Sequence, residues 1–366
     1  MNKKVCLISL NLSGGGAQRA MLGQAEMFSK NGYQVEIILM KNKVHYDLNL
    51  KLYNIHFLSN TRYLSNIKLF NFILFFKKLK RKITFLEKDG KFNLILSNAY
   101  DSDQLLRFIK HKNKYHVVHG TMSLYLKKWH YIKRVLYKLI YINQKIIAVS
   151  NGVKNDFLNT LKVKPKKILT IYNPFDVRKI KQLSNNPVSF SDYVLYVGSI
   201  ETVKRIDLLL KAYKKSNISQ KLILLGFRNK ETMTPFSLKV EAEIRGLIIK
   251  LGLTQKVECL KFVNNPYGYI KNAKLLILSS DHEGLPSVLI EALILNTMVV
   301  STNSSSGPSE ILKNELSSFL SEPGNVNQLS DNIIKAINSD INITNEYYEK
   351  FDSRTVYFHY KELLNG

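Results

Sequence analysis

SSDHEGLPSVLIEAL, Ser279 to Leu293, follows directly on the apolar run KLLIL and decides how the chain is read. An apolar strand runs into two acidic residues and a glycine, and a proline then opens an apolar-faced helix. Glu283 falls on the loop, and Glu291 falls eight residues later, inside the helix. Pro286 suits the first helical position, where its missing N–H costs nothing. The N–H groups of Gly284, Leu285, Ser287 and Val288 then stand at a helix start, where a phosphate is held. A carboxylate beside such an anion site repels phosphate, so its partner is expected to be a hydroxyl. Phosphate together with hydroxyls describes a sugar nucleotide. The same residues also fit an ordinary strand–loop–helix turn with a surface glutamate.

Outward from this stretch, the chain alternates strands and helices twice over. VCLISLN, a glycine-rich LSGGG, a helical pattern over Ala17–Lys30 and the apolar run from Val35 to Met40 make a βαβ unit. Gly14, Gly15 and Gly16 let the backbone approach a ligand or merely turn tightly. The dinucleotide fingerprint is absent, because Arg19 stands where its last glycine belongs. FNLILSN and YHVVHG are further strands, and His119 ends the second of them, where α/β sites form. Ser123 to Lys145 is expected to be helical. NNPVSFSD, Asn185 to Asp192, interrupts the periodicity and reads as a linker. Beyond it DYVLYVGS, QKLILLGF and VECLKFV restart the alternation, with Lys204 and Arg205 at the helix start after the first. The expected organisation is residues 1–184 as one Rossmann-like domain and 185–345 as a second. An aromatic tail over 346–366 is expected to pack back across a domain surface.

Composition bounds the chemistry. The 366 residues exceed one ordinary α/β core, and Lys+Arg outnumber Asp+Glu by 54 to 28, for a formal charge of +26. Such an excess asks for an anionic partner. Two cysteines without metal-ligand spacing suit a reducing compartment. Asp101 and Asp103 are spaced like a metal-binding pair but lie far from the presumed phosphate site, and helix capping is the role expected of them. No HExxH, Walker, GxSxG or paired CxxC motif occurs. No metal and no cofactor are therefore expected.

Ile67 to Lys88 is too short in its apolar part to cross a bilayer and is followed by a block of cations. Phe72, Phe75 and Phe76 beside Lys77, Lys78, Lys80, Arg81 and Lys82 read as an anchor on an anionic membrane surface, or as a solvated helix face. Nucleic-acid binding is the rival for so basic a chain. The basic blocks sit beside apolar aromatic helices and not on a recognition module, so no nucleic acid is expected as a partner.

SGGGAQR, VHG, YVGSIETVK, GF at 226–227, HEGLPSVLIEAL and TNSSSGPSEIL occur in the order found in family 4 glycosyltransferases of the retaining GT-B type, and the chain resembles that family over nearly its whole length. The resemblance implies an α/β fold of two Rossmann-like domains facing across a cleft, with a C-terminal crossover helix. Glu291 resembles the residue that binds the nucleotide ribose, and Glu283 the one that touches the donor sugar. The backbone of Gly284, Leu285, Pro286, Ser287 and Val288 then lies near sugar and phosphate, with Gly198 counted among the donor contacts. His119 resembles the first-domain residue near the reacting sugar, and Gly15 and Gly16 the wall opposite the diphosphate. Lys204 resembles the family lysine on the leaving diphosphate. The accompanying family arginine is replaced by Ser199, which leaves Arg205 as the candidate substitute. The implied reaction moves a hexose or N-acetylhexosamine from a UDP-sugar to a lipid-linked or glycan acceptor without an essential metal, by same-face attack assisted by the leaving phosphate. The motifs are similar to those of bacterial transferases that build lipopolysaccharide, O-antigen, capsule or lipid-linked oligosaccharide. Such an enzyme is expected in the cytoplasm, peripheral at the inner face of the cell membrane.

Overall fold

The computed structural model describes residues 3–46, 48–59, 69–123, 126, 131–227 and 235–364. The chain divides into two compact units, Met1–Pro174 with Phe351–Gly366, and Phe175–Lys350. The division falls at Pro174 and not at 184, because the helix Val177–Leu183 packs against the helices Tyr267–Asn272 and Ser287–Ile294 of the second unit.

Among the described residues the first unit holds a parallel sheet in the order β3-β2-β1-β4-β5-β6-β7. Its strands are β1 (Lys4–Ser9), β2 (Gln34–Leu39), β3 (Asn54–Phe57), β4 (Leu94–Ser97), β5 (Lys114–Val118), β6 (Lys145–Ala148) and β7 (Lys167–Thr170). β1 is buried along its whole length, as a central parallel strand covered on both faces must be. Even Lys4 is 4% exposed there; its ammonium donates to the Leu86 carbonyl at 2.6 Å. The edge strand β3 was not foreseen, because NIHF is short, half-exposed and lacks an apolar run.

The helix α1 (Gly16–Lys30) follows β1, and the terminal helix Ser353–Leu364 packs against it within the same unit. Tyr360 accepts a hydrogen bond from Gln24 at 3.1 Å and meets Phe28 edge-on, while Asn113 donates to the Leu363 carbonyl. Of the helix expected over Ser123–Lys145, the described part is Tyr131–Tyr141; residues 124, 125 and 127–130 lie outside the described residues.

The helix α2 (Leu69–Leu86) corrects the membrane expectation. Phe75, Leu79, Ile83 and Leu86 repeat at helical spacing and sink into a cluster with Cys6, Ile8, Phe92 and Ile95. Phe75 is 3% exposed, and Phe72 and Phe76 pack on the same cluster with edge-on contacts to Phe108. These three rings belong to the core, so they are not the ones offered to a bilayer. The outer face carries Ile73, Leu74 and Phe85 with exposed Lys77, Lys78, Lys80 and Arg81 and a half-buried Lys82. Side chains 69 and 70 lie outside the described residues. No helix among the described residues is long and apolar enough to cross a membrane.

The second unit repeats the plan with the order β10-β9-β8-β11-β12-β13, again parallel. Its strands are β8 (Tyr193–Val197), β9 (Lys221–Phe227), β10 (Val257–Lys261), β11 (Leu275–Leu278), β12 (Met298–Thr302) and β13 (Leu320–Ser321). Strand order reverses between β8 and β11. Open sheets of this kind take ligands beyond the carboxyl ends of the strands at such a point.

Candidate active site

The loop after β11 is fastened to the turn after β8. Ser279 donates to the Lys204 carbonyl at 2.8 Å, and the Asp281 amide donates to the Val203 carbonyl at 2.9 Å. These bonds bring two motifs that lie 79 residues apart into direct contact: the Lys204 ammonium is 2.7 Å from Glu283 Oε1. The pair is largely shielded, with side-chain exposures of 22% and 12%. Tyr196 lies beneath it, donating to the Ser199 carbonyl, and its phenol is pushed well above its ordinary pKa by burial and then by the Glu283 and Glu201 charges.

Close backbone packing shapes the same end of the sheet. A Cβ on Gly226 would stand 1.8 Å from the Gly198 carbonyl oxygen, so the ends of β8 and β9 meet as only glycine permits. Gly307, at φ +86°, would drive a Cβ to within 2.5 Å of Pro286 Cδ and 2.9 Å of the Gly284 carbonyl. Ser306 donates to the carbonyl of Glu283. The GPSEIL segment thus holds the EGLP loop from behind.

Pro286 is the cap of the helix Ser287–Ile294 and not its first residue, because ψ 97° leaves it outside the helical region. Leu285 is buried, and Ser287 and Val288 fall in the first turn, whose N–H groups have no intrahelical acceptor. Glu291 is 2% exposed, an expensive place for a carboxylate unless it is bound. Ser280 Oγ, His282 Nδ1 and Ser304 Oγ, on the loops after β11 and β12, are buried without a hydrogen-bond partner among the described residues. All three sit at the carboxyl ends of the adjacent strands β11 and β12, where water or a polar ligand can pair with them.

Arg205, the candidate substitute for the family arginine, is engaged by two carboxylates. At φ +49° its guanidinium makes two bonds to Asp207 at 3.0 and 3.1 Å and reaches both oxygens of Asp281 at 3.1 and 3.2 Å. The hydrogen bond to Asp207 holds it firmly charged, and two carboxylates already neutralise it. Arg205 braces the loop, and Lys204 is the cation turned to Glu283.

In the first unit, α1 starts from a turn whose backbone requires glycine. Gly14 and Gly15 have φ of +105° and +130°, and a Cβ on Gly15 would lie 2.8 Å from Gln18 Oε1. Tyr46 holds the turn from both sides: its hydroxyl accepts from the Gly15 amide and donates to the Gly15 carbonyl, each at 2.9 Å. Gly16 begins the helix.

His119 follows β5, and its Nε2 lies 3.0 Å from Asn98 Oδ1, at the end of β4. An amide oxygen only accepts, so Nε2 carries the proton and the buried Nδ1, which has no partner among the described residues, presents a lone pair. Burial lowers the imidazole pKa to about 4. Asn98 was missed as a site residue, although its place in the strand-ending SN was the available signal. Asp103 is not a cap: it accepts from Tyr141 at 2.7 Å and sits 2.9 Å from His116 Nδ1, and Ala99 occupies the cap position. His119, Gly15 and Gly16 belong to the first unit; Lys204, Glu283, Gly198, Glu291 and the 284–288 backbone belong to the second.

With this geometry established, similarity to known proteins is specific. Residues 14–179 match the family model described as Glycosyltransferase Family 4, and residues 178–355 match that described as Glycosyl transferases group 1. A Campylobacter jejuni N-acetylgalactosamine-N,N'-diacetylbacillosaminyl-diphospho-undecaprenol 4-alpha-N-acetylgalactosaminyltransferase is 28% identical over 97% of this chain and 96% of its own length. A Staphylococcus aureus poly(ribitol-phosphate) alpha-N-acetylglucosaminyltransferase is 24% identical over 70% of this chain and 50% of its own. Among solved structures, an Anabaena HepE protein in complex with UDP and glucose matches at TM-score 0.79 and 18% identity, covering 99% of both chains. That likeness carries the fold, which is GT-B. Matched through both halves, the chain belongs to the GT-B glycosyltransferases of family 4 and group 1.

Proposed function

We propose that this glycosyltransferase moves a hexose or N-acetylhexosamine from a UDP-sugar, with retention of configuration, to a lipid-diphosphate-linked glycan in cell-surface polysaccharide synthesis. The observation that carries the reading is the Lys204–Glu283 pair at a helix start, flanked by unpartnered buried polar atoms. A donor diphosphate supplies the anion that Lys204 can take over, and the donor sugar supplies the hydroxyls that Glu283 can accept from. Charge grows on the leaving diphosphate as the glycosidic bond breaks, so a lysine and helix N–H groups aimed there lower the barrier. His119 offers a neutral acceptor at Nδ1 for a sugar hydroxyl. Glu291, buried on the same helix, suits the ribose hydroxyls. The C. jejuni relative's name supports an undecaprenyl-diphosphate-linked acceptor and an N-acetylhexosamine donor. A lipid acceptor is in keeping with the exposed apolar and basic residues of α2, and with peripheral association at the inner face of the membrane.

The test is a panel of UDP-, GDP- and ADP-sugars offered with a lipid-diphosphate-linked acceptor in excess EDTA, with the product anomer read by NMR. Transfer from a UDP-hexose or UDP-N-acetylhexosamine with retained configuration is expected. Transfer from other nucleotides only, an inverted product, or activity that returns only with added manganese would overturn it.

A further inference from the structure

Beside the edge strand β3, the outer face of α2 frames an open groove of about 310 Å³ lined by Phe57, Leu58, Lys78, Arg81, Lys82 and Phe85. Four of these, Lys78, Arg81, Lys82 and Phe85, recur at i, i+3, i+4 and i+7 and therefore share one helix face. Among the described residues no acidic residue lines the groove, and no carboxylate pairs with any of its three cations. The carboxylate nearest in sequence, Glu87 just beyond the end of the helix, is bound to Lys91 and His111. Like charges one helical turn apart repel, so this arrangement is left for an anion to offset.

The rest of the lining is apolar. Phe85 is 58% exposed and Phe57 37% exposed, with the Lys82 and Lys88 ammonium groups 5.5 and 5.1 Å from the Phe85 ring centre. Aromatic surface is costly to leave in water beside a phosphate site unless the ligand brings its own apolar part. A free phosphate or a nucleic-acid backbone satisfies the cations and leaves both rings wet. An amphiphile satisfies both. The volume takes a head group and not a whole lipid, whose chains would remain outside.

We propose that this groove binds the phosphate head group of an anionic phospholipid, with the glycerol and first methylenes against Phe57 and Phe85. The proposal rests on the membrane association argued above, and it adds a specific site to it. It also differs from a merely basic surface, because Lys77 and Lys80 are equally exposed on α2 and do not line the groove.

Flotation with vesicles of phosphatidylcholine, with and without phosphatidylglycerol, tests it on the full chain. Two variants each remove two charges from α2: Lys78→Ser with Arg81→Ser inside the groove, and Lys77→Ser with Lys80→Ser outside it. Unchanged melting temperatures verify folding. The groove pair is expected to weaken binding to phosphatidylglycerol vesicles about tenfold more than the outer pair. Equal losses would overturn the groove and leave a diffuse electrostatic attachment. Failure of the unmodified protein to bind the anionic vesicles would overturn the membrane reading as well. Dihexanoyl phosphatidylglycerol should displace the protein from vesicles, and inorganic phosphate at the same ionic strength should not. Displacement by phosphate alone would exclude a lipid as the occupant.

Discussion

Lys204 and Glu283 are bound to each other at 2.7 Å, although each suits a different part of a nucleotide-sugar. In the proposed reaction, binding of the diphosphate exchanges one anionic partner of Lys204 for another and releases the carboxylate for the sugar. UDP without its sugar gains the lysine but strands Glu283. Glu283→Gln should bind UDP more tightly, by about 1 kcal/mol or roughly fivefold, because the lysine is no longer occupied. Its transfer rate should fall nonetheless. Calorimetry with UDP alongside initial rates separates these effects; weaker UDP binding by Glu283→Gln would show that the pair does not compete with the diphosphate. Lys204→Ala should lower kcat by about 100-fold, the usual scale for losing one group that meets developing charge.

Glu291 stands in a different position. Its carboxylate is almost wholly buried on the helix Ser287–Ile294, so its effect should be on binding more than on chemistry. In the proposed role, Glu291→Ala removes charge-assisted bonds to the ribose, and UDP affinity should then drop by roughly 1.5–3 kcal/mol. Glu291→Gln keeps the volume and serves to separate lost bonds from lost packing. UDP affinities unchanged in both variants would mean that the ribose lies elsewhere.

Local pattern carried the sequence reading furthest where a parallel α/β chain declares itself. Short apolar runs such as KLLIL, bounded by turn residues, read as buried strands, and the glycine and proline around them marked the turns. Long-range partnerships were not legible. Asp281 is 76 residues from Arg205, and no local rule says that it will claim the guanidinium left available by Ser199. The Tyr46 hydroxyl that holds Gly15 and the Asn98 amide that orients His119 depend likewise on which loops the sheet order brings together. In α2 the periodicity was visible but its direction was not. The same rings at Phe72, Phe75 and Phe76 suit a membrane and a core equally, and only the neighbouring sheet decides.

That assignment can be tested by stability alone. Phe75 is packed against Leu79 and the β1–β4 cluster, so Phe75→Ala should cost about 3–5 kcal/mol of unfolding free energy. Phe85→Ala, on the outer face of the same helix, should stay within about 0.5 kcal/mol. Urea unfolding of the two variants provides the comparison. Similar losses from both would mean that α2 does not turn its Phe72–Phe75–Phe76 face to the sheet.

His119 gives the fold a pH signature. Burial lowers its pKa from 6.5 to about 4, so the folded chain disfavours the protonated form. Above about pH 6.5 neither the folded nor the unfolded chain holds this proton, and the residue makes no pH-dependent contribution. Between about 6.5 and 4 the unfolded chain holds it and the folded chain does not, so stability falls as pH falls through that window. Below about 4 both states are protonated and the loss is complete, at about 3 kcal/mol by order of magnitude. His119→Gln keeps a hydrogen-bonding side chain next to Asn98 but cannot titrate. Its stability should therefore decline less on acidification than that of the parent, with the difference confined to this window. Denaturant unfolding of both proteins across the range measures it. Parallel curves would mean that His119 can be protonated in the folded chain as easily as in water, and that burial does not hold it neutral.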